Sequence, residues 1–191
     1  MRACQLLVAA ALVSAGACSP EVKTKSTDGT LIGTPPKTDP DPDRNQRHPP
    51  CHPGCFPAGT LVATPTGPHA IDTLRAGDRV MRIAPDGTAV VDVIHSTFTT
   101  TNVLVELRTS AGTLHTTPIQ PLCLAAGGFR RAGELNAGDR IRTWVDGKAG
   151  EAEVKEVVET GRVVPVFNLV VGDSAVFVAG GFLAKGKPPL D

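Results

Sequence analysis

The run Leu74-Arg75-Ala76-Gly77-Asp78-Arg79-Val80 returns as Leu135-Asn136-Ala137-Gly138-Asp139-Arg140-Ile141. No other feature restricts the fold as tightly. In each copy the leucine is expected to pack inward, Gly-Asp to make a turn, and a strand to begin at once. Each strand then runs to an Asp-Gly turn, Asp86-Gly87 in the first copy and Asp146-Gly147 in the second. Solenoids need roughly three repeats or more, so two copies point to a pair of similar β units related by a pseudo-twofold axis. Asp78 and Asp139 are read as turn formers, not as catalytic carboxylates.

The surrounding texture agrees. From Cys55 to about Lys185, short apolar runs such as TLVAT, DRVMRI, AVVDVI, NVLVELRT, RIRTWV, EAEVKEVV, VFNLVV and AVFVA alternate with Gly- and Asp-rich turns. Their β-branched content marks them as strands. The only helical turns expected lie around His69–Leu74 and Arg131–Leu135. Tyr is absent and Trp144 is the one tryptophan, so the core must rest on Val, Leu, Ile, Ala and a few Phe. An all-β domain of roughly 130 residues is long enough to close such a core.

The amino-terminal part reads differently. Met1-Arg2, the apolar run Leu6–Val13 and the small residues Ser14–Ala17 make residues 1–17 a signal peptide, too short to span a bilayer. Ala15-Gly16-Ala17-Cys18 resembles a bacterial lipobox, which would make Cys18 a lipidated first residue; ordinary signal cleavage at the same bond is the alternative. Residues 18–54 are polar and Pro-rich, lack apolar periodicity, and read as a disordered tether. The chain is expected to be exported to a bacterial cell envelope and held at a membrane through Cys18. By resemblance to lipoproteins, Ser19 implies the outer membrane. A net charge of +0 and the lack of a basic patch argue against nucleic acid as a partner. A monomer without cofactor is expected.

The stretch Cys55-Phe56-Pro57-Ala58-Gly59-Thr60-Leu61, followed by Ile71-Asp72-Thr73-Leu74-Arg75-Ala76-Gly77-Asp78, resembles the opening block of the Hint superfamily of hedgehog autoprocessing domains and inteins. Gly112-Thr113-Leu114-His115-Thr116-Thr117-Pro118-Ile119-Gln120-Pro121-Leu122 resembles the second block, and Val166–Leu183 the last. The resemblance covers residues 55–186 and leaves 187–191 as a short tail. It implies an all-β, flattened horseshoe with pseudo-twofold symmetry. It also implies that Cys55 attacks the carbonyl carbon of Gly54, converting the amide to a thioester. Such an attack needs a thiolate, a carbonyl that can be polarised, and a proton for the departing nitrogen. Thr117 stands where the family carries a threonine hydroxyl beside the scissile bond.

Two departures bear on chemistry. Gln120 occupies the position of the family's histidine; it can donate hydrogen bonds to an oxyanion but cannot shuttle a proton. Losing a general acid typically forfeits about 10²–10⁴ in rate. His115, two residues before Thr117, is a candidate to share its strand face, with an ordinary polar strand position as the alternative. At the other end Ala184-Lys185-Gly186 replaces the family's Val-His-Asn, which removes asparagine cyclisation and hence splicing. An autoprocessing domain would therefore pass its acyl group to water, or to an external thiol or amine. The competing reading is a silent Hint fold serving as an envelope-displayed binding or structural module. A trans-acting thiol protease is disfavoured because no Cys-His-Asn set is evident. Cys51 could close a disulfide with Cys55; a metal site of His48, Cys51, His52 and Cys55 is disfavoured by its spacing. Cys123 reads as a buried small hydrophobe.

Overall fold

The computed structural model describes residues 54–172 and 175–187. The expected signal peptide, Cys18, Cys51, the histidines of the disfavoured metal site, and all of the tether except Gly54 lie outside them.

The described chain is all-β, with no α-helix. Its strands are β1 (Phe56–Pro57), β2 (Leu61–Thr64), β3 (Gly67–Ala70), β4 (Arg79–Ile83), β5 (Ala89–Thr109), β6 (Gly112–Thr116), β7 (Pro121–Cys123), β8 (Phe129–Arg131), β9 (Arg140–Val145), β10 (Lys148–Val171), β11 (Val176–Ala179) and β12 (Phe182–Lys185). Two 3-10 turns, Ile71–Thr73 and Ala132–Glu134, fall inside the two regions where the sequence allows helical turns.

The repeat is a true structural duplication. Arg75 N–H donates to the Asp78 carboxylate at 2.8 Å, and Asn136 N–H to that of Asp139 at 2.8 Å. Gly77 N–H reaches Ile94 O and Gly138 N–H reaches Val154 O, both at 2.9 Å. Both glycines sit at φ +92°, a conformation closed to most side chains, which is why Gly precedes each Asp. Leu74 and Leu135 are buried in the same core. Each turn launches a strand (β4, β9) that folds back antiparallel onto a long one, β5 or β10.

The long strands correct the sequence reading. AVVDVI and NVLVELRT belong to one strand of 21 residues, and EAEVKEVV and VFNLVV to one of 24. The link HSTFTTT carries no Gly or Pro and is rich in β-branched Thr, so nothing stops the first. In the second, Gly161 at φ +64° falls in a register shift between Glu159 and Val163; the strand bulges there instead of turning. β5 and β10 pair antiparallel along most of their length, with Asn168 opposite Phe98.

This ribbon positions everything else. β1 joins the β10 edge with Phe56 opposite Phe167, and β6 joins β5 with Thr116 opposite Val105. Phe56 is fully buried and meets Phe177 edge-to-face at 6.2 Å. The start of the domain is thereby pinned in the core beside the end of β6.

Candidate active site

Gly54 and Cys55 are both buried, and the peptide bond between them is held at each end. Asn168, a fully buried residue on β10, donates from Nδ2 to Gly54 O. The Cys55 N–H donates to Thr117 Oγ1 at 2.8 Å. The next carbonyl, Cys55 O, accepts from Thr117 N–H at 2.9 Å and from Thr116 Oγ1 at 2.8 Å. A donor at the carbonyl oxygen draws electron density from the Gly54 carbon, and the bond strengthens as that oxygen gains charge. A hydroxyl at the nitrogen is both acceptor and donor, so it can follow the nitrogen as it changes from amide to amine.

Gly54 fits because it has no side chain. A Cβ there would stand 2.2 Å from Gln120 N, 2.3 Å from Gln120 Cα and 2.5 Å from Thr117 Oγ1. Two of these are backbone atoms, so no rotamer change relieves the clash. The residue assigned by sequence to the tether is therefore an inner part of the fold.

Gln120 is fully buried, and its side-chain hydrogen bonds go elsewhere than Gly54 O. Its Nε2 donates to Pro121 O and Lys185 O, each at 3.0 Å, and its Oε1 accepts from Asn168 Nδ2 at 3.4 Å. It ties the end of β12 to the site and stands beside Asn168, the donor at the Gly54 carbonyl. Asn168 Oδ1 accepts from Leu169 N–H at 2.7 Å, which fixes the amide from the other side.

His115 lies elsewhere. It stands opposite Glu106 in the β5–β6 register and pairs with it, Nε2 to Oε2, at 3.2 Å. Thr116, not His115, takes the inward face, because Leu114 and Thr116 are the buried positions of β6. The strand ends at Thr116, so strict alternation fails for Thr117 and both threonines reach Cys55. His69 meets Thr66 Oγ1 at 3.3 Å on the exposed side, and His95 is exposed.

Burial pushes the Cys55 thiol up to about 11, with the positive charge of Lys187 pulling the other way. At neutral pH Cys55 therefore rests as a thiol. Cys123 is likewise pushed to about 11 by burial, in a separate apolar cluster with Ile83, Val178 and Leu183. Both are free thiols. Among the described residues no group of three or more His, Cys, Asp or Glu could hold a metal, and no helix is long and apolar enough to cross a membrane.

The sequence profile of the Hint domain matches residues 54–176. The chain belongs to the Hint domain family. At the level of the family it is an autoprocessing-type domain. Solved structures of the same fold include an Ssp DnaB mini-intein variant (TM-score 0.65, 19% identity, covering 72% of this chain and 97% of that one). A DnaB intein from Synechocystis sp. gives 0.64 and 20%, covering 70% and 98%. The bacterial intein-like domain from Clostridium thermocellum gives 0.59 and 26%, covering 69% and 97%. No curated protein matches in sequence. The Hint profile begins at Gly54, the residue that the fold itself encloses.

Sequence reasoning missed two residues of this Hint site and one enclosed residue nearby in the chain. Asn168 is a single polar residue in the apolar run VFNLVV, and that isolation was its signal: a buried amide demands partners. Thr116 was hidden behind its neighbour Thr117. Lys187, placed in the tail, is 3% exposed, and its N–H donates to Leu169 O at 3.0 Å.

Proposed function

We propose that this Hint domain cleaves its own Gly54–Cys55 bond by an N-to-S acyl shift, once and in cis, without splicing at its carboxyl end. The observation that carries the reading is the grip on that one amide: Asn168 at its oxygen, Thr117 at its nitrogen. The thiolate of Cys55 attacks the Gly54 carbonyl carbon, forming the S–C bond while charge moves onto the oxygen facing Asn168. The C–N bond then breaks, the Cys55 nitrogen takes a proton, and residues up to Gly54 remain as a thioester on Sγ. Water, a thiol or an amine from outside resolves it. With Cys18 lipidated, the reaction would part the domain from an envelope-anchored segment, or transfer that segment to the acceptor.

The competing reading, a silent Hint fold kept as a surface module, draws on the thiol's resting protonated state and on Gln120, whose amide protons are committed to Pro121 and Lys185. One experiment separates the two. Full-length chain is incubated with hydroxylamine or dithiothreitol and followed by intact mass, beside Cys55→Ala. Self-cleavage releases a fragment beginning at Cys55 in the wild type alone. A wild-type chain that stays whole under every condition refutes it in favour of the silent module.

A further inference from the structure

A groove of about 810 Å³ opens between β2, β3, β6 and the end of β9. That is the size of a ligand site. Leu61 of β2 and Val145 of β9 rim it, each more than half exposed. Trp144, the chain's one tryptophan, lines it half-buried. Exposed apolar residues gathered in one concavity mark a contact surface. Its formal charge has a single sign. Asp146 supplies the only carboxylate of the lining, and neither Lys nor Arg stands there. That carboxylate enters none of the ion pairs among the described residues.

The groove lies close to the scissile bond. Pro57 lines it, three residues after Gly54, and Leu114 lines it, three residues before Thr117, whose hydroxyl takes the Cys55 N–H. Three residues span at most about 11 Å, so both walls are within that reach of the bond. Leading into Gly54 are Asn45-Gln46-Arg47-His48-Pro49-Pro50-Cys51-His52-Pro53, outside the described residues. In the extended form that proline favours, such a segment reaches roughly 28 Å, more than the distance requires. Its chemistry complements the groove. Proline-rich segments dock on aromatic-lined grooves because their backbone is already restricted and loses little entropy. This one also carries Arg47 and no Asp or Glu, against a groove whose formal charge is a carboxylate. The stretch before it, with Asp39, Asp41 and Asp43, has the wrong sign.

We propose that this groove holds residues 45–53 of the same chain, with Pro49 and Pro50 on the Trp144 ring and Arg47 at the Asp146 carboxylate. The segment that enters the Gly54–Cys55 bond is then held on the domain by contacts of its own, besides the bond. Docking involves no covalent step and does not depend on self-cleavage. Where the bond is cut, the freed segment stays in place instead of diffusing away.

The test uses full-length chain carrying Cys55→Ala, which keeps the bond whole. In brief digestion with trypsin, cutting after Arg47 is scored against cutting after Lys23, Lys25 and Lys37 in the same sample. Leu61→Ser with Asp146→Asn removes an exposed apolar contact and the charge, while Asn tolerates the φ of 51° at that turn. Relative cutting after Arg47 should rise roughly tenfold in that double variant, as the undocked population grows. A second variant, Pro49→Gly with Pro50→Gly, alters only the segment and leaves the groove as it is. In it the Trp144 emission should move to longer wavelength as the ring is wetted. Equal relative cutting with and without the groove substitutions overturns the proposal, as does Trp144 emission that ignores the proline substitutions. Protection of Arg47 that vanishes on dilution assigns the groove to a second copy's segment and overturns docking within one chain.

Discussion

Asn168→Ala is the most direct probe of the site. The side chain is fully buried and makes three contacts: Nδ2 to Gly54 O, Nδ2 to Gln120 Oε1 at 3.4 Å, and Oδ1 from Leu169 N–H at 2.7 Å. Removing a single oxyanion donor in other acyl-transfer sites costs about 10²–10³ in rate, or about 3–4 kcal/mol of barrier. The same truncation leaves Gly54 O without its side-chain donor in a dry setting, worth about 1–3 kcal/mol of stability. The 3.4 Å contact is at the edge of hydrogen-bonding range and adds little. Cleavage should therefore slow by about two orders of magnitude, in a domain that still folds. The assay is a quenched time course of intact mass in hydroxylamine, paired with a urea midpoint for each variant. Asn168→Asp separates rate from fold: it keeps the volume and the acceptor for Leu169, but sets a carboxylate against Gly54 O. It should cleave no faster than the alanine variant. If Asn168→Ala cleaves within about threefold of wild type, the oxyanion role is wrong, because so small a change is below the loss of even one such donor.

Two further predictions rest on single features. Gly54→Ala forces a Cβ into backbone 2.2 Å away; it should lower stability by about 1–3 kcal/mol in urea and drop cleavage well below wild type, because the carbonyl must leave Asn168. A wild-type melt and rate would show that the box is looser than described. The pH dependence follows from the two buried thiols, each raised from 9.0 to about 11. A raised folded-state value means the folded chain holds those protons longer than the unfolded one, so the contribution is complete below pH 9 and is lost as pH climbs to about 11. Urea midpoints should fall across that window, less steeply in Cys123→Ala, while the cleavage rate climbs over the same range as the thiolate forms. A cleavage rate flat above neutral pH would contradict a protonated resting nucleophile.

The architecture was largely legible because it is written in local chemistry. A leucine, a Gly forced to positive φ and an Asp that accepts its own turn's N–H recur at both Leu74–Asp78 and Leu135–Asp139, and each piece is readable from a few adjacent residues. What sequence reading misjudged was where strands continue. Thr-rich HSTFTTT offers no breaker, and Gly161 resembled one but makes a bulge. The site was legible only in part, since Cys55, Gly54 and Thr117 sit in distinctive local runs. Asn168 reaches it solely through β10, and no spacing rule connects it to Cys55. His115 failed for a local reason: alternation holds within β6 and stops at its last residue, so Thr116 and Thr117 serve the site together. Gln120 looked like a weakened histidine, yet its amide is spent on the backbone of Pro121 and Lys185.

The grip on the Gly54–Cys55 bond also sets an order of events. Thr117 lies 62 residues along the chain from Cys55, and Asn168 lies 114 from Gly54. Closing loops of that size is entropically slow and is repaid only when the distant strands have paired. Until β10 has docked along β5, the bond is an ordinary peptide in an unfinished chain, with nothing at its oxygen and nothing beside its sulfur. Folding thus acts as the clock of the proposed reaction, and a chain truncated before Asn168 would keep its amino-terminal segment intact.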